Sequence, residues 1–237
     1  MDTASYATIS RQMGLWREMS IVANNIANSA TTGFRQEGLI FSEFVKASPD
    51  GRSLSMGNGN VRNTSFIQGA LTETGGTLDF AIEGDGFFLV ETPQGERLTR
   101  AGSFSANAEG DLVTPDGLRV LDAGGAPLFV PPDAGNLAVS SDGTISANGR
   151  LLGQIGLVKP VEAGSMTRED GVLFAADAGF EPTENARILQ GFIENSNVDA
   201  ISSLARMIEV QRAYELGQSF LESENKRVKD ALQSFTR

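Results

Sequence analysis

The sequence predicts an α+β protein in which a long helix at each end of the chain flanks an antiparallel all-β middle domain. Residues 195–237 contain no Pro and a single Gly, Gly217, and their apolar residues recur every three or four positions. Residues 1–33 show the same spacing. The middle of the chain instead alternates short apolar runs with Asp-Gly and Asn-Gly steps, which are typical of turns between strands.

The first 33 residues are predicted to form one amphipathic helix. One apolar stripe consists of Tyr6, Ile9, Met13, Trp16 and Ala23, and an adjoining stripe consists of Leu15, Met19, Val22 and Ile26. Gly33 is expected to end the helix in a left-handed cap. Near that end lies an unusual group of polar residues, Asn24, Asn25 and Asn28. Because Asn is a mediocre helix former, either these residues fray the helix end or their amides bond between helices and fix one register.

The middle of the chain divides into three predicted segments. Residues 34–76 are predicted to be an extended connector with short strands, because their aromatic residues are scattered among Gly, Asn and Ser. Residues 77–178 are predicted to form the β domain, a sandwich or a barrel-like module, because turn residues separate its apolar runs at strand spacing. Residues 179–194 are predicted to be the connector that returns the chain to the second helix.

Residues 195–237 are predicted to form the second helix, roughly 60 Å long at ~1.5 Å per residue. Asn197 is a candidate N-cap, and Asp199 places negative charge at the positive end of the helix dipole. One apolar row comprises Val198, Ile201, Leu204 and Ile208, and a second comprises Met207, Val210, Tyr214, Leu221 and Val228. A helix of this length exceeds one small domain and needs partners. Periodicity alone leaves open whether both terminal helices pack on the chain's own β domain or on other molecules.

The charge of the chain is unevenly distributed. The net charge is −11. Acidic and basic side chains cancel within residues 1–33 and within residues 195–237, so the whole excess lies in residues 34–194. Neutral, amphipathic ends suit burial in an assembly, and an acidic middle suits exposure to water. The acidic balance and the absence of polybasic stretches argue against binding to nucleic acid.

The amino-acid composition argues against most catalytic mechanisms. The chain has no Cys and no His, so it lacks thiolate ligands, the commonest general base and the commonest metal ligand. Its acidic turns do not form a calcium loop, and only a carboxylate pair among Asp79, Glu83 and Asp85 leaves glycoside hydrolysis open. We therefore expect a protein that is not an enzyme and that needs no cofactor or metal. No signal peptide and no apolar run of membrane-spanning length are visible.

Three segments, in order along the chain, resemble a known family. Residues 23–28 (ANNIAN) with 31–35 (TTGFR), residues 79–88 (DFAIEGDGFF) with 99–104 (TRAGSF), and residues 196–199 (SNVD) with 207–215 (MIEVQRAYE) are similar to the N-terminal, central and C-terminal signatures of the flagellar basal-body rod and hook family. The resemblance covers the chain from end to end. Two sites depart from the family's usual residues, Ala205-Arg206 and Gly217.

The resemblance implies a structural subunit of the bacterial flagellum that polymerises helically in the periplasmic rod. In that family the terminal helices pair as a coiled-coil-like inner domain and the β module lies outside. The implied partners are copies of the chain, neighbouring proximal and distal rod subunits, and the flagellar type III export apparatus, which secretes such proteins without a cleaved signal. Length and layout are most similar to those of the proximal rod members. A distal rod protein, or a secreted glycan-binding or adhesin-like β domain, remains the alternative.

The same resemblance suggests which residues form the assembly interface. An apolar seam is expected to use Ile9, Met13, Trp16, Ile201, Leu204 and Ile208. Polar contacts that set the register are expected from Asn24, Asn25, Asn28, Gln211 and Arg212. The remaining candidates within or beside the signatures are Tyr6, Ile26, Gly33, Phe34, Asn197, Val198 and Tyr214.

Overall fold

The structure, a computed structural model, describes residues 3–47, 53–131, 134–135, 137–183 and 185–235. It divides into two compact units. The terminal unit comprises Met1–Ser29, Gln36–Phe66 and Val198–Arg237, and the β unit comprises Ala30–Arg35 and Ile67–Asn197. In the described chain, neither long helix is apolar enough over a sufficient length to cross a membrane. The predicted α+β class, with a helix at each end and an antiparallel middle, is confirmed.

Two helices form the core of the terminal unit. Helix α1 spans Thr3–Ala27 and helix α2 spans Ala200–Phe235, or ~37 and ~54 Å at the usual rise. Helix α2 begins later than predicted because Asp199, not Asn197, is its N-cap. The Asp199 carboxylate accepts hydrogen bonds from the N–H groups of Ile201 and Ser202 at 2.9 and 3.2 Å, which satisfies donors that a helix start leaves unpaired.

A long hairpin completes the terminal unit. Strand β1 (Glu37–Ala47) pairs antiparallel with strand β2 (Ser53–Thr64), with a bulge at Ile40/Phe41. Both strands contact α1. This differs from the predicted extended connector with short strands. The ladder consists of backbone hydrogen bonds, which the Gly-, Asn- and Ser-rich β2 can make without any apolar alternation in its sequence.

The β unit contains many short strands. They are β3 (Leu71–Glu73), β4 (Phe80–Glu83), β5 (Phe87–Thr92), β6 (Gly95–Thr99), β7 (Ser105–Ala106), β8 (Leu112–Val113), β9 (Val120–Leu121), β10 (Leu137–Val139), β11 (Thr144–Ala147), β12 (Arg150–Gln154), β13 (Leu157–Pro160), β14 (Met166–Asp170), β15 (Leu173–Ala176), β16 (Phe180–Pro182), β17 (Arg187–Gln190) and β18 (Phe192–Glu194), with a 3₁₀ turn at Ala163–Ser165. The largest described sheet has the order β14-β15-β6-β5-β13-β16, and β9 also pairs with β5.

The other paired strands of the β unit form smaller sheets. β17 pairs with β4, β18 with β3, β11 lies between β10 and β12, and β7 pairs with β8. The segment expected to be a return connector is therefore strand, because β17 and β18 pair with strands at the start of the unit. One buried apolar cluster is built around Phe80, Phe88 and Phe104, and a second around Leu89, Val158 and Phe174.

Gly33 has the predicted left-handed backbone but not the predicted role. Helix α1 ends at Ala27, and Gly33, at φ +71°, lies well beyond it. A Cβ atom on Gly33 would lie 2.3 Å from the backbone nitrogen of Ala101, which no real side chain tolerates. The glycine is therefore required for a close approach of two backbones within the β unit.

Candidate functional site

One face of α1 is an exposed apolar row. Tyr6, Ile9, Met13 and Trp16 are 55, 43, 54 and 61% exposed. On the opposite side of the helix Leu15, Ile21 and Val22 are buried. The sequence predicted this row at helical spacing, and only the structure shows that its own chain leaves it uncovered. An exposed apolar row of this kind marks an interaction surface.

Helix α2 also carries two apolar rows with different surroundings. Ile201, Leu204 and Ile208 are 83, 55 and 44% exposed. A second row at three-and-four spacing faces inward, since Ser203 and Val210 are buried and the residues that continue the row, Met207, Tyr214, Gly217 and Leu221, are half-buried. The chain covers the second row as far as Leu221, but Val228, predicted in the same row, is 51% exposed. The first row is left exposed.

Polar contacts join α1 and α2 at two levels. The Gln12 Nε2 atom donates to the carbonyl oxygen of Tyr214 at 2.8 Å. The guanidinium of Arg206 donates to the Glu18 Oε1 atom from Nε at 2.7 Å and from Nη2 at 2.6 Å, and the hydrogen bond to Glu18 raises the pKa of Arg206. Because the residue numbers rise on α1 and fall on α2, the two helices run antiparallel.

The asparagines at the end of α1 have separate environments. Asn25 is 2% exposed; its Nδ2 donates to the Glu37 carbonyl at 2.7 Å and its Oδ1 accepts from the Glu37 N–H at 3.0 Å. The Asn25 amide thus makes the two hydrogen bonds that the backbone of a neighbouring strand would make, and it links the start of β1 to α1. Asn24 is exposed, and the Asn28 amide donates to the Asn24 carbonyl at 2.9 Å. Asn25 is therefore engaged inside the terminal unit and not on its surface.

The β unit contains a buried cluster of three charges. The Glu194 carboxylate pairs with Arg35 at 2.8 Å and with Arg100 at 3.1 Å, and none of the three side chains is more than 4% exposed. Its Oε1 atom also accepts from the Gly69 N–H at 2.9 Å. Burial lowers the pKa of Arg35 to about 10, although the attraction of Glu194 raises it. Burial also lowers the pKa of Arg100 against the same attraction.

Two segments of the β unit that lead to the terminal unit, residues 31–35 and 194–197, meet at this cluster. The Gly33 N–H donates to the Glu194 carbonyl at 2.7 Å, and the Asn197 N–H donates to the Phe34 carbonyl at 3.3 Å. The Asn197 side chain donates to the Ile67 carbonyl at 2.8 Å. Residues 31–35 and 194–197 therefore leave the β unit bonded to each other.

Aromatic stacking adds a second anchor to the same segment. The Arg168 guanidinium lies 4.4 Å from the ring centroid of Phe34 and 4.7 Å from that of Phe174, and it donates to the carbonyl of Arg35. Phe34 is 1% exposed. Stacking of this kind between a cation and two rings holds the start of the connection on the sheet.

The predicted interface residues fall into three groups. The exposed ones are Tyr6, Ile9, Met13, Trp16, Asn24, Ile201, Leu204, Ile208, Gln211 and Arg212. The half-buried ones are Ile26, Asn28, Asn197, Val198 and Tyr214, and the buried ones are Asn25, Gly33 and Phe34. Sequence reasoning missed Gln12, Glu18 and Arg206 between the helices, and Arg35, Arg100 and Glu194 in the β unit. The signal for these was a charged or amide residue on an apolar face or inside a signature segment.

One of the acidic residues considered for catalysis, Asp79, has structural contacts. Asp79 accepts hydrogen bonds from the hydroxyls of Thr74 at 2.6 Å and Ser103 at 3.0 Å. In the described part of the chain, no cluster of three or more His, Cys, Asp or Glu residues has the arrangement of a metal site.

Family comparisons match all three signature regions. Residues 6–35 match the family described as flagella basal body rod protein. Residues 81–147 match the flagellar hook protein FlgE/F/G D1 domain, and residues 189–234 match the flagellar basal body rod FlgEFG protein C-terminal family. The matches therefore include both terminal helices and much of the β unit.

Individual relatives match over nearly their whole length. The chain is similar to the flagellar basal-body rod protein FlgF of Caulobacter vibrioides, with 44% identity over 91% of this chain and 90% of the relative. FlgF of Mesorhizobium japonicum is 38% identical over 91% and 90%, respectively. FlgG of Bacillus subtilis is 31% identical over 89% of this chain and 90% of the relative. The chain belongs to the flagellar basal-body rod protein family, and within it is most like FlgF.

Proposed function

We propose that this chain is a structural, non-enzymatic subunit of the proximal part of the flagellar rod, and that it polymerises helically through its terminal helices. The observation that carries the proposal is the pair of exposed apolar rows, one on α1 and one on α2. Burying a large apolar side chain gains ~1.5–3 kcal/mol. Rows of several such residues therefore favour association with further subunits over exposure to water.

The two rows support an open assembly. Each lies on the side of its helix that faces away from the contact between α1 and α2, so the rows form different patches. An interface between different patches on successive copies is heterologous, and heterologous contacts that do not close on themselves build helical filaments. The inward row at three-and-four spacing supports coiled-coil-like pairing of α1 with α2 within each subunit.

The relatives, which are named as basal-body rod proteins, support the proposed partners and location. The proposed neighbours are copies of this chain and other proximal and distal rod subunits. The proposed place of assembly is the periplasm, which the chain reaches through the flagellar type III export apparatus without a cleaved signal. The greater identity to FlgF than to FlgG supports the proximal rod over the distal rod.

The test places one charge in each row. In cells whose only copy of the chain carries Trp16→Asp and Ile208→Asp, we expect incomplete rods and loss of motility. Each row would then carry an unpaired charge into an interface that buries it between subunits. The control is Ala205→Asp with Gln218→Asp, which adds the same charge at exposed positions of α2 outside both rows. Normal motility in the first strain would disprove assembly through these rows.

A further inference from the structure

Apolar contacts alone define the register between α1 and α2 weakly. The inward row of α2 includes Ser203 and Gly217, which offer little apolar surface. An apolar row repeats along a helix, so a slip of one turn, about 5.4 Å, replaces each contact with a similar one. Polar contacts do not repeat in this way, so the contacts of Gln12 with Tyr214 and of Glu18 with Arg206 distinguish one register from the next.

Gln12 fits only one position on α2. A Cβ atom on Gly217 would lie 2.4 Å from the Gln12 Nε2 atom. The missing side chain therefore leaves the space through which the Gln12 amide reaches the Tyr214 carbonyl at 2.8 Å. After a slip of one turn the amide would face Leu221 or Ala213, whose side chains occupy that space.

The ion pair defines the same register independently. The Glu18 side chain is 10% exposed, and both bonds from Arg206 converge on one of its oxygens. From Gln12 to Glu18 is ~9 Å along α1, and from Tyr214 to Arg206 is ~12 Å along α2. The long Arg206 side chain spans the difference, so both contacts form together in this register.

We propose that Gln12 with Gly217, and Glu18 with Arg206, are positioning residues that set the axial register of α1 on α2. The consequence for assembly rests on the proposed function. The register fixes the offset between the exposed row of α1 and the exposed row of α2, and a neighbouring subunit can cover both rows only at one offset.

The test measures the register directly. The chain has no Cys, so Ser20→Cys on α1 and Ser219→Cys on α2, both at exposed positions, carry spin labels without interference. We expect pulsed electron paramagnetic resonance to give one narrow distribution of distances between the two labels in the full chain. Adding Gln12→Ala and Glu18→Met should produce a second population about 5 Å away. The control, Glu222→Met with Lys226→Ala, removes exposed charged groups from α2 and should leave the single distance unchanged.

A second variant covers loss of folding. Should Gln12→Ala with Glu18→Met lose its helices by circular dichroism, Gly217→Ala with Arg206→Gln decides the question, because it disrupts both contacts from α2. The added methyl group expels the Gln12 amide, and the neutral, shorter side chain removes the ion pair with Glu18. A second distance in that variant supports the proposal. An unchanged distance in whichever variant remains folded overturns it, as does an undefined distance in the labelled parent or an equal shift in the control. These distances come from the isolated chain, so they can fail while the motility test succeeds, and the reverse.

Discussion

Replacing Glu194 by Gln should destabilise the β unit severely. The carboxylate is 1% exposed, pairs with two buried guanidiniums at 2.8 and 3.1 Å, and accepts the Gly69 N–H. Gln keeps the size and one acceptor oxygen but removes the negative charge, so two buried cations remain without their counter-ion. Removing one partner of a buried ion pair costs about 3–5 kcal/mol, a large part of the 5–15 kcal/mol that typically stabilises a domain.

Urea unfolding followed by far-ultraviolet circular dichroism measures this loss. With a slope of about 2 kcal/mol per molar urea, the midpoint should fall by roughly 2 M. Amide exchange at Gly69 should accelerate in parallel, because its acceptor is weakened. The matched control is Glu181→Gln, which removes the same charge from a pair with Lys159 at 3.0 Å whose side chains are 44 and 56% exposed.

The control should lower the free energy of unfolding by no more than about 1 kcal/mol, because solvent screens an exposed pair. Equal losses in the two variants would refute the reasoning, since they would mean that burial of the Glu194 cluster adds nothing to the cost of removing the charge.

Three further predictions concern the terminal segments. Asn25→Ala should cost about 2 kcal/mol in the free energy of unfolding, because it removes the two buried hydrogen bonds between the Asn25 amide and the Glu37 backbone. Asn24→Ala, on the exposed side, should change that free energy little. Similar losses in the two variants would contradict the structural role of the Asn25 amide. Asp199→Ala should lower the melting temperature at neutral pH by removing the N-cap of α2. Hydrogen bonds from Ser202 and from first-turn N–H groups lower the pKa of Asp199. The difference in melting temperature should therefore be full above the unfolded pKa of 3.8 and vanish as the pH falls through the lower folded pKa. A difference that persisted in stronger acid would exclude the carboxylate as its source. Gly33→Ala should prevent docking of residues 31–35, visible as fast amide exchange at Gly33, because its φ of +71° and its backbone contact admit no side chain; retained protection would count against the close approach.

Local sequence predicted much of the architecture. Turn residues and short apolar runs predicted the antiparallel middle, and spacing of three and four predicted both helices and each of their apolar rows. The hairpin β1–β2 was not predicted, because a ladder of backbone hydrogen bonds leaves no alternation in a strand rich in Gly, Asn and Ser. Asn197 was mistaken for the N-cap because Asn197 and Asp199 are both favourable caps, and only the helix start at Ala200 distinguishes them.

The polar residues show the limit of sequence reasoning about the site. Because Asn is a poor helix former, the asparagines of α1 were predicted to fray the helix end or to bond between helices. The Asn25 amide instead bonds to the backbone of β1. Gln12 and Glu18 share an apolar side of α1 with Leu15 and Val22, and a polar residue there is a local signal. Their partners on α2 lie 202 and 188 positions away, which no local pattern identifies. Arg206 and Gly217, where the chain departs from the usual family residues, both lie at these contacts.

By itself the sequence determined the fold class, the positions of the helical rows and turns, and the family, because each depends on residues close together in the chain. Only the tertiary structure decided which row of each helix the chain covers and which it leaves exposed. Periodicity shows which residues share a face, but the partner of that face is chosen by packing between distant segments. The Glu194 cluster has the same origin, since it joins residues 94 positions apart. Their charges are paired only when residues 31–35, the sheet and residues 194–197 meet.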